Sequence, residues 1–60
     1  MKKVWGKDGL TVYQRNAKEA SENSGYPYAV FLPGESPRTL ACPEHDADTL
    51  AEAIEFATSY

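Results

Sequence analysis

The sequence predicts an α+β domain: a small antiparallel sheet of three to four short strands, opened by an N-terminal hairpin and packed against one C-terminal amphipathic helix. Three observations carry this. Asp8-Gly9 sits between two runs rich in β-branched and aromatic residues. Residues 28–32 form a short apolar run closed by Pro33-Gly34. Residues 49–60 place apolar side chains at helical spacing behind Thr49-Leu50-Ala51-Glu52, a capping-box pattern.

Each element has a local reason. Asp-Gly suits a type I′ turn, which needs positive φ at both central residues. With Asp8-Gly9 as a two-residue loop, Trp5 faces Val12 and Val4 faces Tyr13. Trp5, Leu10 and Val12 then share one face, and Lys2, Val4, Thr11, Tyr13 and Arg15 the other. Asn16 and Glu19 have capping-box spacing and Gly25 is a helix stop, so 16–25 reads as one helical turn or an ordered loop. Pro27 delays the next strand to Tyr28. Ala29-Val30-Phe31-Leu32 is apolar on both faces and marks the most buried strand. Pro33-Gly34 fits a type II turn. Arg38-Thr39-Leu40-Ala41-Cys42 reads as a fourth strand that Pro43 stops.

From Asp46 onward the pattern is helical, with Asp46, Asp48 and Thr49 as N-cap candidates. Leu50, Ala53, Ile54 and Ala57 fall on one stripe, and Asp48, Glu52, Glu55 and Ser59 on the opposite one. The predicted core is Trp5, Leu10, Val12, Val30, Leu32, Leu40, Leu50, Ile54 and Ala57. Tyr13, Tyr26, Tyr28, Phe31, Phe56 and Tyr60 exceed what one helix can cover, which predicts a homodimer or another partner surface.

Length and composition narrow the function. Sixty residues make a single domain, 1–60, which buries about 60% of its unfolded surface and is marginally stable. No apolar run approaches the roughly 20 residues of a membrane span, and Trp5-Gly6-Lys7-Asp8-Gly9 interrupts any leader-like run after the N-terminal lysines. One cysteine, Cys42, forms no internal disulfide, which points to a reducing, cytoplasmic setting.

Net charge is −3, divided unevenly. Residues 1–30 set Lys2, Lys3, Lys7, Arg15 and Lys18 against Asp8, Glu19 and Glu22, for +2. Residues 31–60 set Arg38 alone against Glu35, Glu44, Asp46, Asp48, Glu52 and Glu55, for −5. Acids in the first helical turn complement the helix dipole. Glu55, and the lack of any Lys or Arg near the C-terminus, have no such explanation.

The leading expectation is therefore a non-enzymatic interaction protein without cofactors. Its acidic face, Asp48, Glu52 and Glu55 with Glu44 and Asp46, meets a basic protein partner, such as a nucleic-acid-binding host protein. A compact acidic chain of this kind has the general profile of many small accessory proteins of phages and mobile elements, which act as inhibitors by binding and blocking a host protein. A second expectation is a nucleic-acid-binding module using Lys2, Tyr13, Arg15 and Lys18, with phosphate contacts around an aromatic ring. The acidic pI of about 4.9 speaks against it. A third uses Cys42 and His45, three apart, as half of a zinc site or as a nucleophile pair. A closed zinc site takes four ligands, of which Cys and His here supply two. The glycines are scattered through turns, and no phosphate-binding loop is present.

Overall fold

Asp8 and Gly9 both take positive φ, 54° and 84°, and close the hairpin that the Asp-Gly pair predicts. They join β1 (Lys2–Lys7) to β2 (Leu10–Gln14) in a computed structural model that describes residues 1–39 and 41–60. A short helix α1 (Ala17–Ser21), strand β3 (Tyr28–Phe31), a 3-10 turn (Pro37–Thr39), strand β4 (His45–Ala47) and helix α2 (Leu50–Ser59) follow. The sheet order is β1-β2-β3-β4, with every neighbouring pair antiparallel. The predicted α+β architecture is the observed one, with α2 lying across β2, β3 and β4. Among the described residues no helix is long and apolar enough to cross a membrane.

Local chemistry accounts for the joints. Asn16 and Glu19 form the capping box in both directions: the Glu19 amide donates to Asn16 Oδ1 at 2.8 Å, and the Asn16 amide donates to Glu19 Oε1 at 2.9 Å. Gly25, at φ 82°, donates to Ala20 O and ends that turn. At Pro33-Gly34 the Glu35 amide donates to Leu32 O at 3.0 Å and Gly34 has φ 81°, as a type II turn requires. Thr49 caps α2 by accepting from the Glu52 amide at 3.1 Å, while the Glu52 carboxylate reaches the Asp48 amide at 3.4 Å.

Three expectations need correction. The hairpin register holds from Lys7↔Leu10 through Trp5↔Val12 and then shifts, so that Lys3, not Val4, pairs with Tyr13. Val4 is the extra residue of a bulge, and both Val4 and Trp5 pack against the core. Burying Val4 beside Trp5 outweighs the regular ladder. Second, the fourth strand expected over 38–42 is not seen where the structure describes that stretch: Arg38 and Thr39 lie in a 3-10 turn and Ala41 and Cys42 in no regular element, while Leu40 lies outside the described residues. Pro37 starts a 3-10 turn in which Ser36 Oγ accepts from the Arg38 amide and Thr39 Oγ1 bonds to both the amide and the carbonyl of Ser36. These short side-chain bonds give the backbone an alternative to a ladder. Third, of the N-cap candidates Asp46, Asp48 and Thr49 it is Thr49 that caps the helix, and Asp46 is not helical, because His45–Ala47 pair with Tyr28–Val30 as the fourth strand.

The sheet buries both faces. Towards α2 stand Val12, Val30 and Ala47, covered by Ala53 and Ala57 and rimmed by Val4, Trp5, Leu10, Tyr28, Leu50 and Phe56. The two alanines let the helix sit close. On the other face Ala29 and Phe31 are fully buried. The Tyr13 ring meets Phe31 edge-on at 5.4 Å and 85°. Ser36, Pro37 and Arg38 of the β3–β4 connection stand beside Tyr13 on that side. Of the predicted core, Val12, Val30 and Ala57 are buried and Trp5, Leu10, Leu32, Leu50 and Ile54 half-buried, while Leu40 lies outside the described residues.

Candidate functional site

The acidic residues divide into two groups. Glu52 and Glu55 project from the exposed side of α2 and line a shallow groove with His45, Phe56 and Ser59. β4 brings His45 there: it pairs with Val30, so its side chain turns towards the helix and stacks flat on Phe56, with ring centroids 4.2 Å apart and planes at 7°. Tyr60 continues the aromatic line 6.0 Å beyond Phe56. Asp48 and Glu44 are exposed near this edge. Among the described residues no Lys or Arg approaches Glu44, Asp48, Glu52 or Glu55 within ion-pair distance. Glu52 and Glu55, three apart, repel by a few tenths of a kcal/mol, roughly, and among the described residues no Lys or Arg offsets this.

Asp46 does not join them. In β4 it pairs with Ala29, so its side chain leaves by the face opposite His45 and Ala47. There its Oδ1 lies 2.7 Å from Arg15 Nη1. The contact is a close charge pair without hydrogen-bond alignment, and Arg15 Nε is buried with no acceptor. Arg15 also donates to Tyr26 O at 3.0 Å. Its side chain is only 1% exposed. Ala29, between β2 and β4, has no bulk to block the arm.

The basic residues are likewise redistributed. Arg15 is committed to Asp46, and Lys18 is exposed on α1. The bulge pairs Lys2 with Gln14 and puts Lys3 beside Tyr13. Lys3 and Arg38 then stand with Tyr13 around a second recess, a combination hidden by the one-residue shift and by the misread 38–42 segment.

Cys42 is free and exposed, while His45 is half-buried under Phe56. Among the described residues no three of His, Cys, Asp and Glu gather as a metal site. Of the six surplus aromatics, Phe31 is buried and Tyr13, Tyr28 and Phe56 are half-buried, which leaves Tyr26 and Tyr60 exposed, at 36% and 65%.

The Asn16 amide, and then the Met1 ammonium at 2.9 Å, hold the Glu19 carboxyl below its ordinary value. Comparison of the chain with protein-family models, with curated proteins and with solved structures found no match.

Proposed function

We propose that this chain is a non-enzymatic interaction protein whose α2 edge docks on a basic protein partner, in the manner of an inhibitor that covers a nucleic-acid-binding surface. One observation carries the reading: Glu52 and Glu55 line one groove with the stacked His45 and Phe56, and among the described residues no Lys or Arg pairs with them. Aromatic surface beside two carboxylates is complementary to a Lys or Arg side chain, whose apolar stem packs on the rings while its charge meets the acids. Asp48 and Glu44 extend the negative field and speed encounter. Asp46 has no part in this surface.

The test is binding to a purified basic host protein captured on the immobilised chain. Glu52→Lys/Glu55→Lys is expected to fold normally and to lose at least tenfold in affinity, about 1.4 kcal/mol. Wild-type association should slow with added salt, since the Debye length is about 8 Å at physiological ionic strength. Glu22→Lys, at the C-cap of α1, controls for net charge. A folded double variant that binds every captured partner at full strength refutes the reading. Sedimentation of the free chain decides whether a second copy occupies the exposed Tyr26 or Tyr60 instead.

A further inference from the structure

On the sheet face opposite α2, Met1, Lys3, Tyr13, Ser36, Pro37 and Arg38 line a recess of about 420 Å³. Its volume lies within the roughly 300–1,000 Å³ range of small-molecule sites. Lys3, Arg38 and Met1 bring three cations to its lining, of which the Met1 ammonium is paired with Glu19 at 2.9 Å, and no carboxylate stands among the lining residues, on a chain whose net charge is −3. Among the described residues neither Lys3 nor Arg38 has a carboxylate within ion-pair distance, the two ion pairs there being Met1–Glu19 and Arg15–Asp46. Like charges gathered in one concavity raise its potential and favour an anion.

Separate features of the fold build this recess. The bulge at Val4 turns Lys3, rather than Lys2, onto the Tyr13 side. Gly6 leaves room for the lysine arm: a Cβ there would lie 3.2 Å from Lys3 Cε and 3.5 Å from Nζ. Arg38 is held out by the 3-10 turn, whose Ser36 Oγ accepts from the Arg38 amide at 3.2 Å and keeps its own proton to donate. Tyr13 is steadied by its edge contact with Phe31.

We propose that this recess binds a phosphate-bearing aromatic ligand: a nucleoside monophosphate, free or as one unit of a single-stranded nucleic acid. The Arg38 guanidinium and Lys3 ammonium take the phosphate oxygens, the Ser36 hydroxyl donates to a third, and the Tyr13 ring stacks on the base. This site is independent of the acidic groove, which lies on the other side of the sheet.

The experiment is an amide-resolved NMR titration of the full chain with uridine monophosphate, inorganic phosphate, uridine and a short oligothymidylate. The monophosphate should shift Lys3, Tyr13, Ser36 and Arg38, and should bind more tightly than phosphate or uridine alone. Lys3→Ala and Arg38→Ala should each weaken it about tenfold, and Arg38→Lys should recover part of the loss. Glu52→Lys/Glu55→Lys should bind the nucleotide undiminished, so the two surfaces fail or succeed separately. If the oligonucleotide binds far more tightly at the same residues, with a salt slope that falls by about one per cation removed, the ligand is a strand. Equal affinities identify the free nucleotide. Arg38 is exposed, so its alanine variant tests the site even if Lys3→Ala disturbs β1. The proposal is overturned if no probe moves these residues at millimolar concentration, or if folded Arg38→Ala binds unchanged.

Discussion

Removing a negative charge from a chain of net charge −3 should relieve repulsion, yet Asp46→Ala is expected to destabilise this protein by about 2 kcal/mol. The guanidinium of Arg15 is buried, 2.7 Å from Asp46 Oδ1 and 3.0 Å from Tyr26 O, with Nε lacking any acceptor. Taking the carboxylate away leaves a buried cation with one carbonyl. Breaking a fully buried pair in this way costs about 3–5 kcal/mol, whereas exposed pairs are worth about 0–1. The Asp46 side chain is 35% exposed and its contact is poorly aligned, which places the value between these limits. In a domain of this size that lowers Tm by roughly 8–16 °C. It moves the urea midpoint by roughly 2 M at a slope near 1 kcal/mol/M. Trp5 fluorescence and far-UV circular dichroism report both. Arg15→Met removes the buried charge and keeps the bulk, so it should cost less, about 1 kcal/mol or under, and adding Asp46→Ala to it should change little. Asp46→Ala within about 0.5 kcal/mol of the parent, or effects that add in the double variant, would refute the pairing.

Three further perturbations have signs set by the structure. Val30→Ala removes two methyl groups from a side chain with no exposure. It should cost about 1.6 kcal/mol in transfer and about 1 more for a cavity of roughly 40 Å³. That is most of the roughly 3–5 kcal/mol such a core supplies, so denaturant melts should show a large unfolded fraction in buffer alone. Gly9→Ala combines φ 84° with a Cβ placed 2.9 Å from Pro33 Cβ, whereas at Gly25 a Cβ meets nothing within 4 Å. The first should therefore destabilise more than the second, by over about 1 kcal/mol in urea melts. Glu19 has a folded pKa below its ordinary 4.5. Its contribution is present above the unfolded value and fades as pH falls through the folded one. Glu19→Gln should thus flatten the loss of stability on the acid side, and a variant with the parent's acid slope would exclude Glu19 as a cause.

The parts legible in the sequence are those in which one residue type has one local solution. Asp8-Gly9, Pro33-Gly34, the Asn16–Glu19 box and the Thr49 cap all lie where their chemistry puts them. What was hidden depends on partners distant in the chain. His45–Ala47 is too short to show a period, and Asp is a poor strand former. Its pairing is sustained by the Phe56 ring on one face and Arg15 on the other. Ala29, Ala47 and Ala53 are buried because neighbours close over them, which their size alone does not announce. The same gap governs the sites. Glu52 and Glu55 are readable from helical spacing, but nothing in the spacing separates Asp46 from them.

The bulge at Val4 also bears on how the molecule meets copies of itself. An outermost strand exposes a row of backbone donors and acceptors on which another chain can template. A bulge bends and over-twists its strand, which spoils that row on β1, and Lys2, Lys3 and Lys7 crowd the same stretch with charge. The opposite border is β4, three residues long and preceded closely by Pro43. Among the described residues neither border offers a straight, uncharged run for cross-chain sheet extension, which disfavours growth of the sheet by addition of a second copy.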